Sequence, residues 1–132
     1  MTIKKLFFLT PIISLSGCKP RTLDVAKLYG KWRYIKVESP NATPPTSVPQ
    51  FQIDDSKPYI TFTKDDSLTI VWGGEKLSRG KFRIEGNNIE YTERMGNGQT
   101  REFPFMVDEL TDKQITFETS GDDGSKVTAI RN

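Results

Sequence analysis

The sequence predicts an all-β protein, an eight-stranded antiparallel up-and-down barrel preceded by a short helical turn. From residue 59 onward, clusters of Gly, Asn and Asp recur at short intervals, and such clusters between apolar runs are typical of β-hairpins. Within the runs, apolar and polar residues alternate, so one face of each strand is expected to face the core. Eight short strands can remove their sheet edges by closing into a barrel.

The runs define the predicted strands as residues 31–39, 59–63, 68–72, 77–84, 89–94, 101–107, 114–119 and 126–131. Residues 24–29 predict one or two helical turns that end at Gly30, with Thr22 or Asp24 as the N-cap. Residues 40–49 contain four of the eight prolines, which predicts a long surface loop without strand or helix. No helical periodicity is evident after residue 30.

The first 17 residues are typical of an export signal. Lys4 and Lys5 form a positive segment, and residues 6–15 form an apolar run that is too short for a spanning helix of roughly 20 residues. The segment Leu15-Ser16-Gly17-Cys18 resembles the lipobox of bacterial lipoproteins, in which the cysteine thiol takes the lipid. The alternative is an ordinary secretory signal and a buried cysteine. However, Cys18 is the only cysteine and stands where the lipobox requires it.

This interpretation divides the chain into a signal peptide (1–17), a lipidated tether (18–22) and a β-barrel domain (23–132). It predicts membrane association through lipid on Cys18. Lys19 is not the aspartate that retains lipoproteins in the inner membrane of enteric bacteria, and no acidic run follows Cys18. The resemblance therefore implies an outer-membrane anchor with the barrel facing the periplasm. Cleavage would leave equal numbers of basic and acidic residues and no basic stripe, which argues against nucleic-acid binding.

Gly30 and Trp32 form a G-x-W pattern at the start of the first predicted strand, directly after the helical turn. This arrangement resembles the G-x-W motif of lipocalins. Residues 60–68, 80–87 and 109–112 are similar to segments of the short lipocalin-like domains found in lipoproteins of Bacteroidetes, and the resemblance covers roughly residues 23–131. It implies that a basic residue near the end of the last strand packs on the motif tryptophan. Arg131 matches that position, so Gly30, Trp32 and Arg131 are expected to mark barrel closure.

Eight aromatic side chains are candidates to line a cavity for a small hydrophobic ligand: Tyr34, Phe62, Trp72, Phe82, Tyr91, Phe103, Phe105 and Phe117. The alternative is that they fill the barrel, because a domain of this size needs most of its large side chains for stability. A further set would bind a carboxylate or phosphate head group if it pointed inward: Tyr34, Lys36, Arg79, Lys81, Arg83 and Arg101. Their alternation with apolar residues favours a solvent-facing position instead.

Catalytic chemistry finds little support in the sequence. The chain has no histidine, which excludes Ser-His-Asp and Cys-His arrangements and histidine metal sites. The acid pairs at 54–55, 65–66 and 122–123 are expected in turns, where Asp bonds its own backbone. We expect no enzyme, cofactor or metal. The sequence leaves two hypotheses, a membrane-anchored carrier of small hydrophobic molecules, and a non-catalytic structural or protein-interaction module of the envelope with a filled barrel.

Overall fold

The structure is a computed structural model that describes residues 22–121 and 124–132. The predicted signal peptide and Cys18 lie outside the described residues. In the described ranges, no helix combines the length and the apolar character needed to cross a membrane. The strands described below and the hydrophobic core that the described residues form lie within residues 22–132, so this part of the chain holds the contacts of one folding unit.

The described chain begins with a 3-10 helix, Val25–Lys27, capped by the Asp24 side chain, which accepts a hydrogen bond from the Ala26 N–H. The strands and the one α-helix then follow in the order β1 (Gly30–Ser39), β2 (Thr46–Ser47), α1 (Gln50–Ser56), β3 (Tyr59–Phe62), β4 (Ser67–Trp72), β5 (Glu75–Glu85), β6 (Asn88–Arg94), β7 (Thr100–Leu110), β8 (Gln114–Glu118) and β9 (Lys126–Arg131).

Eight of the strands, β1 and β3 to β9, form a closed barrel. Each pairs antiparallel with the next, and β9 returns to pair with β1, with Trp32 opposite Arg131 and Glu38 opposite Lys126. This confirms the predicted all-β, eight-stranded up-and-down barrel. Closure leaves β1 and β9 without a free edge where they pair, which is the physical advantage of a barrel over an open sheet.

The segment between β1 and β3 corrects two predictions. Residues 40–49 were expected to contain no strand, but Thr46 and Ser47 pair with the end of β1. No helix was expected after residue 30, yet Gln50–Ser56 is helical. Pro49 precedes the first turn, where a missing N–H costs nothing, and Lys57 ends the helix in the left-handed conformation.

Ile53 is the only buried residue of this helix. The helix therefore lacks the repeated apolar positions from which a helix can be predicted in a sequence. It also contains Asp54 and Asp55, so the expectation that this acid pair lies in a turn was wrong. The pair at 65–66 does lie in a turn, where the Asp65 carboxylate accepts the Ser67 N–H. The pair at 122–123 lies outside the described residues.

One end of the barrel is covered by the residues before β1, and we call it the closed end. Leu23 donates its N–H to the carbonyl of Gly86 in the β5–β6 turn, so this segment crosses beneath the strands. Leu28 and Trp32 are fully buried there, and the indole Nε1–H donates to the Leu28 carbonyl at 2.8 Å. The opposite end, with the β4–β5, β6–β7 and β8–β9 turns, is the open end.

Candidate functional site: a cavity at the open end

The barrel is not completely filled. A cavity of about 680 Å³ lies inside it toward the open end. A β-bulge in β1 between Tyr34 and Lys36 shifts the strand register, so that both Tyr34 and Val37 border this cavity. Beneath the cavity, the closed end is packed by Trp32, Leu28 and the residues around them. The arrangement is a pocket with a packed floor at the closed end and access from the open end.

Six of the eight predicted aromatic residues border the cavity: Tyr34, Trp72, Tyr91, Phe103, Phe105 and Phe117. They form a continuous series of ring contacts, with centroids 6.3 Å apart for Tyr34–Trp72 and Tyr34–Phe117 and 5.2 Å apart for Phe105–Phe117. Edge-to-face and tilted contacts of this kind stabilise aromatic clusters.

The other two predicted residues, Phe62 and Phe82, do not border the cavity. Their rings pack edge-to-face on each other at 5.3 Å, and both are buried in the core. They fill the barrel, as the alternative interpretation expected of all eight. Six of the eight aromatic residues therefore line a cavity, and the other two fill the core.

A chain of polar side chains crosses one wall of the cavity. The Ser78 hydroxyl donates to Glu93 Oε2, and its oxygen lies 2.6 Å from the Tyr91 hydroxyl. Because Ser78 has one hydrogen to give, Tyr91 is the donor in that second contact. Arg101 Nε donates to Glu93 Oε1 at 2.6 Å, and the Arg101 guanidinium lies over the Phe103 ring. The Glu93 side chain is only 13% exposed.

The Tyr34 hydroxyl has a different environment. Tyr34 is 5% exposed, and its hydroxyl has no hydrogen-bond partner among the residues that the structure describes. Burial raises the pKa of Tyr34 well above its usual value, and the nearby Tyr91 acts in the same direction. The phenol therefore stays protonated and can donate.

Most of the basic residues considered for a head-group site face the solvent, which their alternation with apolar residues favoured. Lys36, Arg79, Lys81 and Arg83 are exposed and do not border the cavity, and Arg83 pairs with Glu85 instead. Arg101 lies at the mouth of the cavity and is held there by Glu93. Among the residues predicted to carry a polar head-group site, only Tyr34 and Arg101 border the cavity.

Sequence reasoning missed Ser78 and Glu93. The signal was present in the alternation, because Glu93 is in phase with the inward-facing Ile89 and Tyr91, and Ser78 is in phase with Phe82. A polar residue at an inward-facing position is unusual unless its hydrogen bonds are satisfied. The alternation of inward-facing and outward-facing positions along each strand therefore marks both residues as inward-facing polar residues.

The three predicted closure residues meet at the closed end. The Arg131 guanidinium carbon lies 4.0 Å from the Trp32 ring centroid. The same guanidinium donates to the carbonyls of Lys27, Tyr29 and Asp112. Gly30 has φ +124°, and a Cβ there would stand 2.8 Å from Arg131 Nη1. Arg131 thus occupies the space that a side chain at position 30 would need.

A second depression, of about 760 Å³, lies outside the barrel between α1 and the β1 and β3 strands. Its border carries both signs of charge, including Lys31, Arg33, Asp54 and Asp55. It is larger than the internal cavity, but it lacks the aromatic enclosure that binds an apolar molecule.

In residues 22–121 and 124–132, no group of three or more acidic or cysteine side chains is placed to hold a metal ion.

No protein-family model and no curated protein matches the chain.

Proposed function

We propose that the barrel binds a small hydrophobic molecule in the cavity at its open end, without catalysing a reaction. The observation that carries the proposal is the cavity itself, about 680 Å³ in volume and bordered by six aromatic residues. Small-molecule sites typically have volumes of about 300–1,000 Å³, an apolar lining and a few convergent polar groups. The chain Tyr91–Ser78–Glu93–Arg101 and the Tyr34 hydroxyl supply the polar groups.

We further propose that the protein is a lipocalin-like lipoprotein anchored through lipid on Cys18. The contact between Trp32 and Arg131 supports the lipocalin-like part of this proposal, because the G-x-W resemblance implied that pairing. The lipobox-like segment before Cys18 supports the anchor. The proposed location is the outer membrane, with the barrel on the periplasmic side. From there the protein would hold or carry a molecule that water dissolves poorly.

Native mass spectrometry of the barrel, residues 22–132 purified without detergent, tests the binding proposal. The expected result is a bound mass of a few hundred daltons that disappears on denaturation, because a cavity of this kind retains a hydrophobic molecule from the cell. A protein that shows only its own mass, and that takes up no mass from an added lipid extract, would support the structural or interaction module instead.

A further inference from the structure

One buried side chain that borders the cavity, Tyr34, has a hydroxyl that the described residues leave unsatisfied. The Tyr34 ring lies inside the barrel, edge-to-face with Trp72 and Phe117. Tyr34 is only 5% exposed, and no described residue accepts a hydrogen bond from its hydroxyl. Native proteins rarely leave a buried hydroxyl without a partner, so each such case points to a water or a ligand. Because the cavity is open to solvent, a ligand can reach this hydroxyl.

Four of the other polar groups that border the cavity satisfy each other. Tyr91 donates to Ser78, Ser78 donates to one carboxylate oxygen of Glu93, and Arg101 donates to the other. The single negative charge of Glu93 is balanced by the positive charge of Arg101 at 2.6 Å. The pair therefore offers no free cation to a ligand, and Glu102, an exposed carboxylate that also borders the cavity and accepts from Thr92, adds none. A negatively charged group placed beside this wall would be desolvated without a counterion.

We infer that the ligand is an uncharged, mostly apolar molecule with a carbonyl-type oxygen that accepts a hydrogen bond from the Tyr34 hydroxyl. This inference rests on the proposed function and narrows its ligand class to ketones, esters and quinones. The tyrosine keeps the hydrogen that this bond needs, because burial beside a second phenol, Tyr91, holds it neutral. A hydrocarbon would leave the hydroxyl unsatisfied, and a carboxylate would meet the Glu93–Arg101 pair without a free cation.

Three probes of nearly equal shape test the inference on residues 22–132: methyl naphthyl ketone, ethylnaphthalene and naphthoate. Binding is measured by calorimetry. The ketone is expected to bind about five-fold more tightly than ethylnaphthalene, the effect of one hydrogen bond worth about 1 kcal/mol. Naphthoate is expected to bind more weakly than the ketone.

Tyr34→Phe removes only the hydroxyl, and it should reduce ketone affinity to that of ethylnaphthalene while leaving ethylnaphthalene binding unchanged. Both probes are measured on the same variant, so a general loss of stability cannot produce a change in their ratio. Tyr59→Phe is the matched control. Tyr59 lies outside the cavity with its ring under the Lys31 ammonium, and its variant should keep the five-fold preference.

The outcomes distinguish a failure of carbonyl recognition by Tyr34 from a failure of hydrophobic binding in the cavity. Equal binding of ketone and hydrocarbon by the unaltered barrel would overturn the inference and leave hydrophobic binding intact. A preference for naphthoate would overturn it as well, since Arg101 would then be the recognising group. If the ketone preference survives in Tyr34→Phe, Tyr34 is not the donor. Absence of binding by all three probes would overturn the proposed function itself.

Discussion

Trp32 and Arg131 stand opposite each other across β1 and β9, with the guanidinium 4.0 Å from the indole centroid. A cation over an indole face is the most favourable cation–π geometry. Because Arg131 also donates to the carbonyls of Lys27, Tyr29 and Asp112, one side chain ties the last strand, the first strand and the segment before β1 together. The closed end depends on this residue.

A double-mutant cycle measures how strongly the pair acts as a unit. Trp32→Phe and Arg131→Ala should each destabilise the barrel, and their coupling in the free energy of unfolding should be about 1 kcal/mol, because contacting residues couple and distant ones add. Chemical denaturation of the four proteins gives the number. Additive effects would mean that the two residues do not stabilise each other.

Gly80 allows β5 and β6 to approach closely. A Cβ at Gly80 would stand 2.0 Å from the Thr92 carbonyl oxygen, whereas a Cβ at Gly96 meets nothing within 4 Å. Gly80→Ala should therefore lower the free energy of unfolding by about 1–3 kcal/mol, the usual cost of forcing extra atoms into a packed site. Gly96→Ala is the control and should change it by less than about 0.5 kcal/mol. Equal effects of the two substitutions would refute the close approach.

The free energy of unfolding should depend on pH through Glu118. Its hydrogen bond with Asp108 raises the pKa of Glu118, with smaller contributions from partial burial and from the charges of Asp108 and Glu38, while Lys126 opposes them. A carboxyl whose pKa is higher in the folded state stabilises the fold at low pH, and that contribution is lost as the pH rises through the folded-state pKa.

Glu118→Gln should remove this loss, because the amide stays neutral and can still donate to Asp108. The variant should become more stable relative to the unaltered protein as the pH rises from about 4 to 7, and thermal unfolding across that range measures the difference. A difference that stays constant with pH would contradict the assigned cause.

Cys18→Ala tests the proposed anchor, which lies outside the described residues. The variant should lose membrane association, and its signal peptide should be cleaved slowly or not at all, because alanine cannot form the thioether. Cell fractionation and incorporation of labelled palmitate are the measurements. A variant that remains in the membrane fraction and still incorporates palmitate would disprove lipidation at Cys18.

Alternation and turn residues predicted the barrel because both are local properties of the chain. They placed all eight barrel strands, although β7 extends to Leu110, beyond the predicted end at residue 107. Helix α1 was not predictable in this way, since one buried residue, Ile53, gives no period. The roles of Pro49 and Lys57 at its ends depend on backbone angles that the sequence does not specify.

The candidate site was predicted only in part. Aromatic residues at inward-facing positions were identified from alternation, but alternation does not tell a lining residue from a filling one. Phe62 and Phe105 both occupy inward-facing positions of strands, yet only Phe105 borders the cavity. The difference depends on how side chains from distant strands pack together, and this also decides whether a polar residue such as Glu93 finds partners.

Titration of residues 22–132 with the apolar dye phenylnaphthylamine, together with a cavity-filling variant, tests whether the cavity is a ligand site. Val37 borders the cavity, whereas Ile35, on the same strand, does not. We expect saturable one-to-one binding at micromolar concentration. Binding should be at least about ten-fold weaker in Val37→Trp, a loss of about 1.4 kcal/mol, and unchanged in Ile35→Trp. Absence of saturable binding by the unaltered barrel, or equal binding by both variants, would contradict a ligand site in this cavity.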